Sequence, residues 1–198
     1  MIDKKLQKAG IKRIAGVDEA GRGACAGPLV VAAVIIEDLD NQFTEGIRDS
    51  KELSATEREM LFPKILEIST SFAIIEISPS EIDAKGLHKC NIEGMRRAVT
   101  SLAVRPDYVL TDGYEIPGIE VANLAVWKGD QVSLSISAAS IIAKVHRDRL
   151  MINLDRKFPG YRLAEHKGYA TAAHEAAINK LGISSIHRKS YSNVAKFL

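Results

Sequence analysis

Four acidic residues stand at spacings that could do metal chemistry: Asp18 and Glu19 side by side, then Asp112, then Asp130. Asp18-Glu19 follow a short apolar, β-prone run, Ile11 to Val17, and lead into Gly21-Arg22-Gly23. Acids followed by a glycine-rich bend make a poor core, but they place charge at the end of a strand. Glycine lets backbone come close to a ligand and adopt positive φ, and arginine forks onto phosphate. Asp112-Gly113 and Lys128-Gly129-Asp130 each follow another β-prone run. Singly, each acid has a plain reading: a charged loop for Asp18-Glu19, a turn for Asp112-Gly113, a solvated loop for Asp130. Together at one sheet edge, four carboxylates repel unless cations join them. An all-oxygen donor set without cysteine or a histidine set suits Mg²⁺ or Mn²⁺ rather than zinc. Two such ions about 4 Å apart activate a water and stabilise a leaving oxygen in phosphodiester hydrolysis.

The elements that must hold these acids read as an α/β domain with a mixed sheet flanked by helices. The first strand is expected over 11–17, running straight into the acids. Leu29 to Ile36 is a nearly unbroken β-branched run, expected as a central strand buried on both faces and pairing antiparallel with the first. Ser54 and Glu57 have capping-box spacing and start a helix at Ala55, which Pro63 interrupts or restarts. Ser71 to Ile77 alternates as a strand. Ser78-Pro79 opens a short helix ending near Gly86, and a second helix runs over about 89–103. Short strands are expected over 107–110 and 121–126. Ser137-Ala138-Ala139-Ser140 opens a long helix to about Lys157. Thr171 caps a last helix that ends at Gly182. Ligand chemistry in such sheets gathers at the carboxyl ends of strands, where the acids fall.

Composition bounds the alternatives. The chain has 198 residues, 46% hydrophobic and 26% charged, with net charge +2. One domain is expected, with core enough to fold and no strong global field. From Lys144 to Lys196 lysine, arginine and histidine dominate, which suits either a polyanion partner or solvated helix faces. Cys25 and Cys90 are the only cysteines; their spacing points to neither zinc nor a disulfide framework, and they read as small apolar fillers. The start, Met1-Ile2-Asp3-Lys4-Lys5, has no apolar signal core, and no segment approaches a membrane span. The expected place is the cytoplasm.

Several motifs then come in a fixed order: Gly16-Val17-Asp18-Glu19-Ala20-Gly21-Arg22-Gly23, Asp49-Ser50-Lys51, Asp112-Gly113, Lys128-Gly129-Asp130, Ser137 to Val145, Arg147-Asp148 and His166-Lys167-Gly168-Tyr169. In this order the chain resembles bacterial ribonuclease HII, of the type 2 ribonuclease H family, from about Ile11 to Tyr191. It departs from the family at Ala24, where proline is frequent, and at Glu52, where lysine is frequent. The resemblance implies an RNase H-like fold with a helical C-terminal part: a single domain over 11–198, its catalytic α/β core about 11–157 and its helical part about 158–198, after a lead-in over 1–10. It implies Asp18, Glu19, Asp112 and Asp130 as the metal-binding acids, with Mn²⁺ or Mg²⁺ in a two-metal mechanism. The implied reaction is endonucleolytic cleavage of RNA in RNA–DNA hybrids and nicking of duplex DNA 5′ of a single embedded ribonucleotide, leaving 3′-hydroxyl and 5′-phosphate. The protein is expected to act as a monomer. Gly21, Arg22 and Gly23 would meet the 2′-hydroxyl, the group that separates RNA from DNA, and Tyr169 the sugar of the next deoxynucleotide. Lys51 would contact phosphate.

Other residues keep two readings. Ser137 and Ser140, at the expected helix start, present hydroxyls and amides to phosphate or simply cap. Lys144, His146 and Arg147 face the duplex, or Lys144 pairs with Asp148 along the helix. His166 assists phosphate binding or is only hydrogen-bonded. Trp127 reads as core and receives no role. Two rival functions remain at this stage: a module that binds hybrids without cutting them, and another RNase H-like DNA nuclease or resolvase, which has no use for a 2′-hydroxyl reader.

Overall fold

The computed structural model describes residues 1–198. Its elements, in chain order, are α1 (Ile2–Lys8), β1 (Ile14–Ala20), β2 (Leu29–Ile35), α2 (Ala55–Ile68), β3 (Ser71–Ile77), α3 (Pro79–Lys85), α4 (Leu87–Thr100), β4 (Tyr108–Asp112), β5 (Asn123–Val126), α5 (Leu134–Lys157), α6 (Leu163–His166), α7 (Ala172–Leu181) and α8 (Ser192–Ala195). The five strands form one mixed sheet in the order β3-β2-β1-β4-β5. β3, β2 and β1 are antiparallel neighbours; β1, β4 and β5 run parallel. The carboxyl ends of β1, β4 and β5 therefore lie in a row on one edge.

β2 is fully buried along its length, as its unbroken apolar run predicts. Val30, Ala32 and Val34 pack beneath α5 and α2, against Ile141, Ile142 and Ile65. Val31, Ala33 and Ile35 pack on the other face against Met95, Ala98 and Val99 of α4. α5 lies so close to β1 that a Cβ on Gly16 would sit 2.0 Å from the Ser135 carbonyl carbon. Only glycine admits that approach. Residues after α5 build a smaller cluster, Tyr161, Leu163, Ala177, Ile178 and Ile186, against Met151 of α5 and Ala26.

The capping box at Ser54 and Glu57 is present, and Ser78 caps α3 with Pro79 at its first turn. Other boundaries correct the sequence reading. β1 starts at Ile14 and continues through Ala20, so Asp18 and Glu19 lie within the strand, paired with Ala32 and Val31 of β2. Pro63 sits inside a continuous α2. It is exposed, as is Glu59 one turn earlier, so water can take the carbonyl that proline leaves free. α4 runs from Leu87 to Thr100, starting about two and ending about three residues earlier than expected.

α5 begins at Leu134, with Ser133 as its side-chain cap, and not at Ser137. The reason lies at the other end of the chain. Asp3 of α1 is completely buried and accepts from the Leu134 and Ser135 amides at 2.9 and 3.1 Å and from both serine hydroxyls, at 3.1 Å for Ser133 and 2.6 Å for Ser135. A carboxylate at a helix N-terminus satisfies free amides and favours the helix dipole. The stretch over 1–10 is thus a helix that fixes where the longest helix begins.

Candidate active site

β1 supplies Asp18 and Glu19, whose side chains alternate across the sheet. Asp18 points to the α5 face. Glu19 points to the α4 face, toward the buried Asn91 of that helix. Asp112 is the last residue of β4, beside β1 because Val17 pairs with Thr111. Asp130 sits on the short helical turn Gly129–Gln131 that follows β5. Two bonds fix that turn: the Gly129 amide donates to Asp112 Oδ1 at 2.8 Å, and Ser137 Oγ donates to the Asp130 carbonyl at 2.7 Å. Carboxylate oxygens of Asp18, Asp112 and Asp130 come within 4.8 Å of one another.

Crowding and burial work against charge here. Asp18 is held well above the usual carboxylate range by burial first and then by Glu19 and Asp112. Burial raises Glu19 to about 7, although Arg22 pulls it down. Burial also raises Asp130 against the opposing pull of Lys51. Glu19 Oε2 is buried with no hydrogen-bond partner, as are both amide atoms of Asn91. A buried acid oxygen without a donor, in an all-oxygen set, fits hard divalent cations. Lys51 is the nearest countercharge. Burial lowers its pKa, but the Asp130 hydrogen bond and the charges of Asp130 and Asp49 outweigh that and raise it. Its Nζ lies 3.1 Å from Asp130 Oδ2 and 4.0 Å from Asp49 Oδ1. Arg58 holds this loop by donating to the carbonyls of Ser50 and Leu53.

A cavity of about 340 Å³ joins Asp18, Glu19 and Asp112 to Gly21, Arg22, Gly23, Ser140, Lys144 and Tyr169. The two glycines have different reasons to be glycine. Gly21 has φ +87°, and a Cβ there would fall 1.8 Å from Arg147 Nε. Gly23 is exposed, and the nearest atom to an added Cβ is Tyr169 Cε1 at 4.0 Å. Packing inside the protein explains Gly21 and leaves Gly23 unexplained.

Two buried arginines shape the wall. Arg147 donates to the carbonyls of Pro28, Lys167 and Ala26 at 2.9, 2.9 and 3.1 Å, and burial lowers it to about 10. It is therefore not a duplex-facing cation, contrary to the reading of α5 as a basic outer face. Arg188 donates to the carbonyls of Gly27 and Arg22. Together they tie the loop after β1 to the loop that carries Tyr169. Lys144 pairs with Asp148 at 2.8 Å and His146 with Glu76 at 2.8 Å. Ser137 and Ser140 lie inside α5, with hydroxyls donated to backbone carbonyls. The helix-start argument for their phosphate contact fails, although Ser140 still borders the cavity.

Three histidines hold the Tyr169 loop. The Ser184 amide donates to His187 Nδ1 at 3.0 Å, so His187 Nε2–H donates to His174 Nε2 at 3.2 Å. His174 Nδ1–H then donates to the Tyr169 carbonyl at 2.9 Å. His166 stacks on His174 at 4.3 Å and bonds the Tyr161 carbonyl. Burial lowers His174, and lowers His187 to about 4. Sequence reading missed Asp49, Asn91 and this histidine chain. Asp49 precedes Ser50-Lys51, and that motif was the one available signal. Trp127, expected in the core, is 84% exposed.

The sequence profile of the Ribonuclease HII family matches residues 15–194. A Ribonuclease HII of Salinispora tropica is 50% identical over 194 residues, which cover 98% of this chain and 72% of that protein. One of Mycolicibacterium gilvum is 50% identical over 197 residues, covering 100% and 78%. Among solved structures, the crystal structure of ribonuclease H2 from Pyrococcus horikoshii OT3 superposes with a TM-score of 0.80 at 29% identity, over 93% of this chain and 96% of that one.

Proposed function

This chain belongs to the ribonuclease HII family, and from that premise we propose that its cleft reads a single ribonucleotide in duplex DNA and nicks on its 5′ side, leaving 3′-hydroxyl and 5′-phosphate. The broader activity is that of the family: metal-dependent endonucleolytic hydrolysis of RNA in RNA–DNA hybrids. The finer reading rests on one observation. A single cavity joins Asp18, Glu19 and Asp112 to Gly21, Gly23 and Tyr169, so the groups that cut and the groups that meet the sugar face the same nucleotides.

Asp18, Glu19, Asp112 and Asp130 would hold the ions, Mn²⁺ or Mg²⁺. When bound, such ions lower the pKa of a water and offset charge on the leaving oxygen. Everything else falls to the protein. Lys51, 77% exposed at its side chain, swings between Asp130 and a phosphate. The backbone at Gly23, unobstructed by any side chain, comes up to the 2′-hydroxyl and hydrogen-bonds it. Arg22 is presented on a carbonyl held by Arg188 and Tyr191 and faces the phosphates. Tyr169 lies on the following deoxyribose, where a 2′-hydroxyl would crowd its ring. Ser140 and Lys144 border the same path, and Ser137 serves by anchoring the Asp130 turn. We read 11–198 as one unit acting as a monomer in the cytoplasm, with Asp3 joining the lead-in to it. No helix is long and apolar enough to cross a membrane.

The test is a duplex DNA carrying one ribonucleotide beside an all-DNA control, each with a divalent cation and with EDTA. The expected product is one nick 5′ of the ribonucleotide, absent in EDTA and absent from the control. Cutting of the control would make this a DNA nuclease, and binding without any cut would make it a binding module.

A further inference from the structure

The acids open into a second cavity of about 520 Å³, which shares Glu19, Arg22, Lys51 and Asp112 with the first. It runs past Tyr114 and Lys128 to Trp127. The sheet order sets the direction. Gly21–Gly23 follow β1, Asp112 ends β4, and Trp127 follows β5, and these three strands are successive neighbours. Trp127 therefore lies across Asp112 from the glycine loop, about two strand spacings of 4.8 Å from β1.

Trp127 is the only tryptophan in the chain and leaves 84% of its surface in water. The other cleft aromatics are less open: Tyr114 is half-buried with Arg22 over its ring at 4.8 Å, and Tyr169 is 39% exposed with Arg147 at 5.6 Å from its ring. Backbone hydrogen bonds hold the turn on either side of Trp127. Gly113 N–H donates to the Val126 carbonyl at 3.0 Å, Lys128 takes a left-handed turn at φ 52°, and Gln131 N–H closes on its carbonyl at 3.0 Å. A large apolar ring left in water beside a polyanion-cutting cleft packs against nothing that the fold needs.

We propose that Trp127 forms a subsite for the nucleotide on the 5′ side of the scissile phosphate, its indole face lying on that deoxyribose. This rests on the reading that Gly23 meets the ribonucleotide and Tyr169 the residue after it. In that polarity the ribonucleotide and its 3′ neighbour lie over the end of β1, the phosphate to be cut lies at the acids, and the strand leaves toward β5. The next residue met is the 5′ one. In a duplex the bases are paired, so a sugar is the face that the strand offers to a ring at the groove. Lys128, beside Trp127 and exposed, accompanies the strand with positive charge.

The sole tryptophan reports on itself. Asp112→Asn protein is titrated with a duplex carrying one ribonucleotide and with a trimmed duplex whose cleaved strand begins at that ribonucleotide. Binding is followed by anisotropy and the indole by fluorescence. The full duplex should quench Trp127 and the trimmed one should not. Adding Trp127→Ala should raise Kd for the full duplex roughly 5- to 100-fold, the range of an aromatic stacking contact, and leave the trimmed duplex unchanged. Trp127→Phe should restore most of the affinity. Unchanged fluorescence on a full duplex that binds, or equal weakening on both duplexes, overturns the subsite. Cleavage by the parent protein is run in parallel. If the parent nicks the full duplex while the indole stays silent, only the subsite falls; if it neither binds nor nicks, the ribonucleotide reading falls as well.

Discussion

Acid should loosen the wall that carries Tyr169 before it unfolds the sheet. The chain Ser184–His187–His174–Tyr169 gives every ring nitrogen a partner in the neutral form. A proton added to His187 Nδ1 faces the Ser184 N–H, and one added to His174 Nε2 faces the His187 N–H across 3.2 Å. Burial, with the charge of His174, holds His187 at about 4, against about 6.5 in an unfolded chain. The unfolded state takes the proton first. The stabilisation is therefore whole above about pH 6.5 and lost as pH falls toward the folded value near 4. At 1.36 kcal/mol per pH unit the loss is roughly 3 kcal/mol, or about 6–12 °C in Tm for a domain of this size. Glu19 works the other way. Its folded pKa is raised to about 7, so the folded state takes that proton first and gains stability over the same window. Absolute melting temperatures mix these with the raised Asp18 and Asp130 and the lowered His174, and a comparison isolates His187. His187→Asn keeps an oxygen for the Ser184 amide and cannot titrate. Both proteins are melted in EDTA at about pH 7.5 and about pH 4.5. The variant should melt lower at neutral pH, having lost the ring that packs on Tyr161 at 5.0 Å. Its further drop on acidification should be smaller than the parent's by several degrees. Equal drops in the two proteins would refute the neutral histidine chain.

Asp112→Asn keeps the oxygen that accepts the Gly129 amide and removes a charge from a crowded cluster; cleavage should fall by several orders of magnitude while Tm in EDTA stays level or rises. Gly23→Ala, with no protein atom closer than 4.0 Å to the new Cβ, should melt like the parent and lose most cleavage at a single ribonucleotide, and unchanged kcat/KM would mean that its backbone does not meet the sugar. Tyr169→Ala should lose activity roughly 5- to 100-fold on a single embedded ribonucleotide and less on a long RNA–DNA hybrid; equal losses would make it a general binding residue. Affinity of the Asp112→Asn protein for duplex should fall steeply between low and high salt, and a flat response would place the nucleic acid elsewhere than on Arg22, Lys51 and Lys128.

What the sequence determined by itself is whatever depends on near neighbours. Ser54 and Glu57 form their capping box because both partners lie within one turn. Leu29 to Ile35 is buried on both faces because an unbroken apolar run leaves no polar side to show water. The acids gather because parallel β1, β4 and β5 end on one edge, which the alternation of strands and helices already suggests. What only the tertiary structure decided is what covers each residue, since burial depends on segments far away in the chain. Asp3 fixes the start of α5 from 131 residues off, so Ser137 and Ser140 became interior and gave their hydroxyls to carbonyls. Arg147 read as one more cation on a basic helix, yet the loops at Ala26, Pro28 and Lys167 close over it and engage all three of its nitrogens. Trp127 read as core because tryptophan is apolar, yet the edge position of β5 leaves nothing to pack against it. Local pattern names the group that can do chemistry; only long-range packing decides whether that group faces the cleft, the core or water.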